Sequence, residues 1–234
     1  MVVSGKGGVG KSTLCVGVAA GLCRRGRRVL LIEGDMGFRT LDILLALEGN
    51  TVYDFSDVAQ GRCAPASAIL VHRPTGIRLL PAAADPGYLP AEEALRILCR
   101  QAGGVFDFIL FDCGAGYGPL TAMLARTCRR ALIVTTPEEA AVRAAGRVSG
   151  FAAGEGLIDQ RLVINMIPRV LTPSPVIRDL DDVIDLAGVQ LIGALPKEDM
   201  PPIPPGKGGM LARQEMDNIA GRLLGEDLEL LYPS

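Results

Sequence analysis

A glycine-rich segment near the start of the chain, from Gly5 to Thr13, has the residue types and spacing of a phosphate-binding loop. Its sequence, GKGGVGKST, fits the pattern G-x-x-x-x-G-K-[ST]. Glycines lack a Cβ, so consecutive backbone N–H groups can turn inward around phosphate oxygens, and the helix that follows directs its positive N-terminus at the same oxygens. We expect Lys11 to contact the β- and γ-phosphates of ATP and Ser12 to offer its hydroxyl to Mg²⁺. The predicted nucleotide contacts in this segment are Gly7, Gly8, Val9, Gly10, Lys11, Ser12 and Thr13.

Two aspartates follow apolar segments further along the chain. Asp112 comes directly after Phe106–Phe111, and Asp35 comes shortly after Val29–Ile32. An apolar strand ending in aspartate is the Walker B pattern, and its carboxylate can hold a water molecule bound to Mg²⁺. Because ligands bind at the carboxyl ends of the strands in open α/β sheets, we expect both carboxylates to lie beside the loop.

These residues require a sheet that brings the ends of several strands to one edge. The chain alternates near-continuous apolar runs, typical of strands buried on both faces, with helical patterns. The predicted strands are Met1–Val3, Val29–Ile32, Ile77–Leu80, Phe106–Phe111, Ala131–Thr135, Leu162–Ile164 and Val189–Ala194. One predicted helix follows the loop, and the others cover 51–60, 91–102, 120–128, 138–151 and 177–186. This alternation predicts an α/β fold with a doubly wound, mostly parallel sheet flanked by helices.

No linker-like stretch interrupts the alternation, so we interpret residues 1–234 as one domain. A Pro/Gly-rich loop is predicted at about 200–209, because its prolines suit neither a helix nor an inner strand. A terminal helix is predicted at about 211–224.

The composition excludes several classes of protein. Lys and Arg number 24 against 26 Asp and Glu, and aromatic residues make up 4% of the chain, which argues against a nucleic-acid-binding surface. The six cysteines form no C-x-x-C pair, which argues against a zinc or iron–sulfur site and favours a reducing cytoplasm. We find no signal peptide and no apolar run of about 20 residues that could span a membrane. The single histidine, His72, is predicted to lie in a surface loop.

The second residue of the loop, Lys6, indicates a family. With a lysine at this early position, the loop resembles that of the deviant Walker A ATPases, the MinD/ParA family. This family also contains the Mrp iron–sulfur carriers. The segment from Gly34 to Asp42, GDMGFRTLD, is similar to switch I of the MinD branch. The resemblance extends from Gly5 to about Asp199 and includes Thr135–Glu138 and Val163–Asn165.

The resemblance implies a role for each matching residue. Lys6 would reach across an ATP-dependent homodimer to the partner's phosphates, acting like an arginine finger in trans. Asp35 would orient the attacking water and, with Ser12 and Asp112, contribute to the magnesium shell. Asn165 would read the adenine edge, and the region of Pro196 would form the other wall of the base pocket.

For the whole chain, the resemblance implies slow, partner-stimulated ATP hydrolysis. It further implies spatial regulation of cell division, with protein partners of the MinC and MinE type.

The chain departs from the family pattern at several positions. Glu33 stands where the first switch I aspartate usually lies, Gly114 replaces a common proline, and Ala144 replaces an aspartate implicated in lysine pairing. The tail after Gly221 is acidic, whereas MinD proteins end in a basic amphipathic helix, so we expect no direct membrane anchor in this chain as given. Membrane recruitment would then need a partner or a longer C-terminus.

Three alternatives remain open. One is a positioning ATPase for flagella, chromosomes, plasmids or another cargo. The others are an iron–sulfur carrier of the Mrp type and a nucleotide-gated scaffold that does not hydrolyse ATP.

Overall fold

A computed structural model describes residues 1–171, 173–198 and 209–231. These residues form one eight-stranded sheet with helices on both faces. Its strands are β1 (Val2–Ser4), β2 (Val29–Gly34), β3 (Leu70–His72), β4 (Ile77–Leu80), β5 (Phe108–Ala115), β6 (Ala131–Thr135), β7 (Gln160–Ile167) and β8 (Leu191–Pro196). The strand order is β3-β4-β2-β5-β1-β6-β7-β8.

Short and long helices connect most of these strands or follow the last of them. They are α1 (Lys11–Arg24), α2 (Thr40–Leu44), α3 (Phe55–Ala59), α4 (Pro65–Ala68), α5 (Glu92–Gly103), α6 (Pro119–Thr127), α7 (Glu139–Gly154), α8 (Leu180–Ala187) and α9 (Met210–Leu223). Every strand pair is parallel except β3 with β4. The predicted α/β fold with a doubly wound, mostly parallel sheet is therefore confirmed.

Strands β1, β2 and β6 lie inside the sheet because their residues are almost all apolar. All residues of β1, β2 and β6 are buried, because helices cover both faces of the sheet. One core cluster lies under α5, α6, α7 and α8, and the other lies under α1 and α9. Helix α1 packs closely on α9, since a Cβ at Gly21 would lie 2.8 Å from the Cβ of Ala220.

The first turn of α1 and the carboxyl ends of β2, β5 and β1 converge at one edge. Strand β5 lies between β2 and β1, and its Asp112 is in register with Glu33 of β2 and Val2 of β1. The phosphate-binding loop leaves β1, the switch I segment leaves β2, and Asp112 lies within β5. The topology therefore brings these three segments together at one edge, as the strand-end argument predicts.

The structure corrects several local predictions. Strands β5 and β7 extend beyond Phe111 and Ile164, and the predicted helix 51–60 is reduced to α3. Helices α2 and α4 and strand β3 were not predicted. The Pro/Gly-rich loop predicted at about 200–209 falls almost wholly on residues outside the described ranges, whereas the terminal helix is present as α9.

The prediction for His72 was wrong. This residue ends β3, its side chain is buried, and its Nδ1 lies 2.7 Å from the hydroxyl of Thr75. Burial lowers the pKa of the imidazole below its ordinary value. His72 is thus a packed residue of an edge hairpin and lies far along the sheet from the phosphate-binding loop.

Candidate functional site

The phosphate-binding loop has the backbone conformation that its glycines allow. Gly8 and Gly10 have φ values of 78° and 80°, which side chains other than glycine rarely adopt. A Cβ at Gly7 or Gly8 would meet no atom within 4 Å, so this side of the loop faces open space. Gly5 lies against the backbone of Ala144 in α7, where no side chain could fit. The loop is therefore closely packed at its start and open where phosphates would approach.

Helix α1 begins at Lys11 with no side-chain cap on its first N–H groups. Its N-cap residue is Gly10, whose left-handed conformation turns the loop into the helix. Uncapped N–H groups at a helix N-terminus and the helix dipole together favour an anion. Ser12 and Thr13, the next two residues, are partly exposed in this first turn.

A buried ion pair lies beneath the loop. Lys11 Nζ donates to Asp112 Oδ1 at 2.6 Å, and the two side chains are 8% and 1% exposed. Burial lowers the pKa of the Lys11 ammonium, but the adjacent Asp112 carboxylate outweighs burial and leaves that pKa above its ordinary value. The second carboxylate oxygen, Asp112 Oδ2, has no hydrogen-bond partner among the described residues. A buried carboxylate oxygen without a donor fits the outer shell of a Mg²⁺ ion.

Asp35 is the first residue after β2 and lies beside Gly114 near the end of β5. Its Oδ1 is 3.2 Å from the position that a Cβ would take at Gly114, so a larger residue there would press on the carboxylate. Burial raises the pKa of Asp35, while Lys11 lowers it and Asp112 raises it. Asp35 therefore shares one electrostatic environment with both members of the buried ion pair.

Lys6 is placed differently from Lys11. Its Nζ lies 2.8 Å from Glu138 Oε2, and both side chains are largely exposed. Glu138 is the N-cap residue of α7 and follows β6, the strand beside β1. Within one chain, Lys6 therefore contacts this glutamate, and the predicted contact with a second chain is not tested by the single chain.

Asn165 contacts the loop directly. Its Nδ2 donates to the carbonyl of Val9 at 2.8 Å, and the side chain is buried. The following residue, Met166, has a φ of 56°, a strained conformation for a residue other than glycine. Pro196 ends the neighbouring strand β8 and is in register with Ile167. The two residues predicted to flank the base thus lie on adjacent strands, one of them in contact with the loop.

Sequence reasoning assigned no contact to two acidic residues, Glu138 and Glu33. Glu33 is completely buried and accepts hydrogen bonds from the backbone N–H of Leu41 at 2.9 Å and of Ala82 at 3.5 Å. Burial raises the pKa of Glu33 to about 7, although these N–H donors act in the opposite direction. A glutamate that ends the apolar run Val29–Ile32 was a sequence signal for this burial.

No group of three or more His, Cys, Asp or Glu side chains suited to holding a metal ion occurs in the described ranges. The six cysteines are free thiols. None of the helices in the part of the chain that the structure describes is long and apolar enough to cross a membrane.

Comparisons with known proteins identify relatives over nearly the whole chain. The family model described as "ParA: NUBPL iron-transfer P-loop NTPase" matches residues 1–171. The chain is 36% identical over 242 residues to the septum site-determining protein MinD of Synechocystis sp., an alignment that covers 99% of this chain and 91% of that protein.

Solved structures give the same result. The structure of the MinC:MinD cell division protein complex of Aquifex aeolicus matches with a TM-score of 0.84 and 28% identity, covering 99% of this chain and 97% of that chain. The septum site-determining protein MinD of Pyrococcus horikoshii OT3, complexed with Mg-ADP, shares the fold with a TM-score of 0.77 and 24% identity, covering 95% of this chain and 93% of that chain.

Proposed function

This chain belongs to the MinD/ParA family of P-loop ATPases, and we propose that it is a MinD-like ATPase that dimerises with ATP and Mg²⁺ and regulates where the cell divides. The observation that carries the proposal is the Lys11–Asp112 ion pair beneath an open glycine loop, with one aspartate oxygen left without a donor. Full-length similarity to a septum site-determining MinD supports the cellular role.

The residues around the loop suggest how the chain would bind and hydrolyse ATP. The N–H groups of the loop and of the first turn of α1 would bind the phosphates, and Lys11 would bind their charged oxygens. A bound Mg²⁺ ion would neutralise charge on the β- and γ-phosphates. Ser12 and Asp112 would hold it, Asp112 through its free oxygen. Asp35 would orient the attacking water, so catalysis would come mainly from positioning and charge stabilisation.

Dimerisation would change the partner of Lys6. In one chain Lys6 pairs with the exposed carboxylate of Glu138. Exposed ion pairs contribute little free energy, so Lys6 can leave Glu138 at small cost. In the dimer, Lys6 would contact the phosphates held by the partner subunit and complete the site there. Neither subunit would then hydrolyse ATP efficiently alone, which supports a slow reaction that depends on assembly.

Partners would act on the assembled state. The Aquifex aeolicus structure contains MinC together with MinD, and we propose a MinC-type partner for this chain, with a MinE-type activator that stimulates hydrolysis. The protein would be cytoplasmic and would reach the membrane through a partner.

The proposal is tested by steady-state ATP hydrolysis and light scattering on the purified chain. We expect turnover and dimer formation with ATP and Mg²⁺, and loss of both when EDTA removes Mg²⁺. A pull-down with MinC from a relative should succeed only with ATP. Failure to hydrolyse ATP in the presence of Mg²⁺ would contradict the ATPase activity and leave a nucleotide-gated scaffold. Capture of a different cargo adaptor would indicate another positioning ATPase.

One observation favours a second candidate, an iron carrier. The matching family model is described as an iron-transfer NTPase. Iron analysis after anaerobic purification separates the two functions: a MinD-like ATPase should contain no stoichiometric iron, whereas about one cluster per dimer would establish the carrier.

A further inference from the structure

Glu33 is a buried carboxylate without a cation. It is the last residue but one of β2, it is 0% exposed, and none of the ion pairs among the described residues includes it. Burying a carboxylate costs free energy unless its oxygens are well satisfied. The three residues before it in β2, Leu30–Ile32, are apolar. Stability alone would be better served by another apolar residue here, so the carboxylate calls for a different explanation.

One oxygen of Glu33 binds the start of helix α2. This helix has no side-chain cap of its own, and its N-cap residue, Arg39, has a strained φ of 48°. Glu33 Oε1 accepts from the N–H of Leu41, the second residue of the helix, at 2.9 Å. A carboxyl oxygen at this position accepts from an N–H that the helix leaves unpaired. Glu33 therefore caps α2 from the strand behind it.

The other oxygen of Glu33 faces the segment that leaves β4. Oε2 lies 3.5 Å from the N–H of Ala82. The next residue, Ala83, accepts a hydrogen bond from the N–H of Gly37 at 3.0 Å. Gly37 also packs on Pro86, since a Cβ at Gly37 would lie 2.6 Å from Pro86 Cγ. The segment that Glu33 contacts after β4 is thus the same segment that packs against Gly37 of the switch I loop.

Asp35 lies in the loop between these fixed points. The loop begins at the end of β2, one residue after Glu33, and ends at α2, which Glu33 caps. From these contacts we propose that Glu33 is a positioning residue, which fixes the loop so that Asp35 is held toward the phosphate-binding loop. The proposal rests on the proposed function, because it assumes that Asp35 orients the attacking water.

This role makes a distinct prediction about kinetics. The loop Gly5–Thr13 runs from the end of β1 into the first turn of α1 and includes Lys11, and none of the hydrogen bonds described above joins Glu33 to it. Loss of the anchor should therefore leave ATP affinity and KM within about twofold and lower kcat, because small misplacements of a catalytic group can cost up to about 100-fold. A merely structural role would instead lower thermal stability and weaken binding together with turnover.

The test compares Glu33→Ala and the isosteric Glu33→Gln with the wild-type chain. Glu93→Gln, at an exposed position of α5, is the matched control for loss of a negative charge. We expect kcat to fall by about 30-fold in Glu33→Ala and about 10-fold in Glu33→Gln, with KM and the Kd for a fluorescent ATP analogue nearly unchanged in both. The melting temperature should stay nearly unchanged in Glu33→Gln, which keeps one acceptor oxygen, and should fall in Glu33→Ala, which leaves two backbone N–H groups without their acceptor. Unchanged kcat in Glu33→Gln, or a parallel loss of kcat, affinity and melting temperature in both variants, would overturn the proposal.

A second readout needs no catalysis. The chain contains no tryptophan, and Phe38 in the same loop is 71% exposed, so Phe38→Trp adds a single fluorescent reporter. We expect lower anisotropy of this tryptophan in the Glu33→Ala background than with Glu33 intact, in the absence of nucleotide. Equal anisotropy would overturn the anchoring role. If the wild-type chain does not hydrolyse ATP, the proposed function fails, while the anisotropy still decides whether Glu33 holds the loop.

Discussion

Two buried ion pairs in this protein differ in how completely their oxygens are bonded. Beneath the phosphate-binding loop, Lys11 binds Asp112 Oδ1 at 2.6 Å and leaves Oδ2 without a partner among the described residues. At the edge of the sheet, Glu215 and Arg222 of α9 form the second pair at 2.7 Å, with side chains 0% and 12% exposed. Both carboxylates are buried, but only the second is saturated.

The Glu215–Arg222 pair holds the tail of the chain. Glu215 Oε2 accepts from the N–H of Leu231 at 3.3 Å. Arg222 donates to the carbonyl of Ile192 in β8 at 2.8 Å and to the carbonyl of Leu228 at 2.9 Å. Each of these contacts joins α9 to β8 or to the tail that follows α9.

The difference separates stability from function. A fully bonded buried pair fixes one arrangement of the chain, and an incompletely bonded pair has capacity left for a ligand. The surroundings agree with this reading, because the loop above Lys11 contains two residues with positive φ, Gly8 and Gly10, and an open face. We infer that α9 and its tail maintain the fold, and that the loop edge binds nucleotide.

The largest effect is expected from a variant that breaks the saturated Glu215–Arg222 pair. Arg222→Ala leaves Glu215 buried without its cation, and breaking a buried pair costs about 3–5 kcal/mol of the free energy of unfolding. Urea denaturation measures the loss, with the exposed Arg129→Ala as control. Binding of ATP by the folded fraction should be unchanged; a selective loss of ATP binding with full stability would reverse the assignment of the two regions.

The next largest effect is expected from a variant that breaks the unsaturated Lys11–Asp112 pair. Lys11→Ala removes the charge that would bind the phosphates, so ATP affinity should fall by about 100-fold, with loss of dimerisation and turnover. Isothermal titration with ATP and Mg²⁺ measures the affinity. Lys6→Ala is the matched control and should keep monomeric ATP affinity within about twofold, since the proposed target of Lys6 lies on the other subunit. An equal loss of affinity in both variants would contradict the different roles of the two lysines.

An exposed pair should matter much less to the fold. Glu138→Gln removes the contact of Lys6 within one chain, and exposed pairs typically contribute at most about 1 kcal/mol. We expect the urea midpoint to stay close to that of the wild-type chain. A loss as large as that of Arg222→Ala would show that the Lys6–Glu138 contact contributes far more than an exposed pair, and would contradict the small cost at which Lys6 is proposed to leave Glu138.

The last prediction is that the chain does not bind anionic membranes. The tail carries Glu226, Asp227 and Glu229, and anionic lipid would repel this charge. Arg25 binds Glu226, and the Glu215–Arg222 pair holds Leu228 and Leu231 at the protein surface. The purified 234-residue chain should therefore not sediment with protein-free anionic vesicles, with or without ATP. Co-sedimentation that depends on ATP would restore direct membrane binding.

Local patterns predicted the parts of the site that lie close together in the sequence. The loop from Gly5 to Thr13 and the apolar run that precedes Asp112 are short motifs whose residue types allow few other structures. The alternation of apolar strands and helices predicted the sheet, because parallel strands buried on both faces need this composition.

Contacts between distant positions could not be predicted in the same way. No spacing indicates that residue 6 meets residue 138, or that Glu33 reaches Leu41 and Ala82. Strand β3 was missed because three residues at an edge are too short for a periodic pattern, and a turn-rich sequence follows His72. Burial of that histidine depends on pairing with β4, which only the folded structure shows.

The central claim is that ATP joins two copies of this chain through Lys6. The most direct measurement is the molar mass, by light scattering with ATP and Mg²⁺, of Asp35→Ala alone and of Asp35→Ala combined with Lys6→Ala. Slower hydrolysis should preserve the bound ATP, so we predict a stable dimer for the single variant and an ATP-bound monomer for the double variant. A single variant that binds ATP and stays monomeric, or a double variant that still dimerises, would contradict the claim.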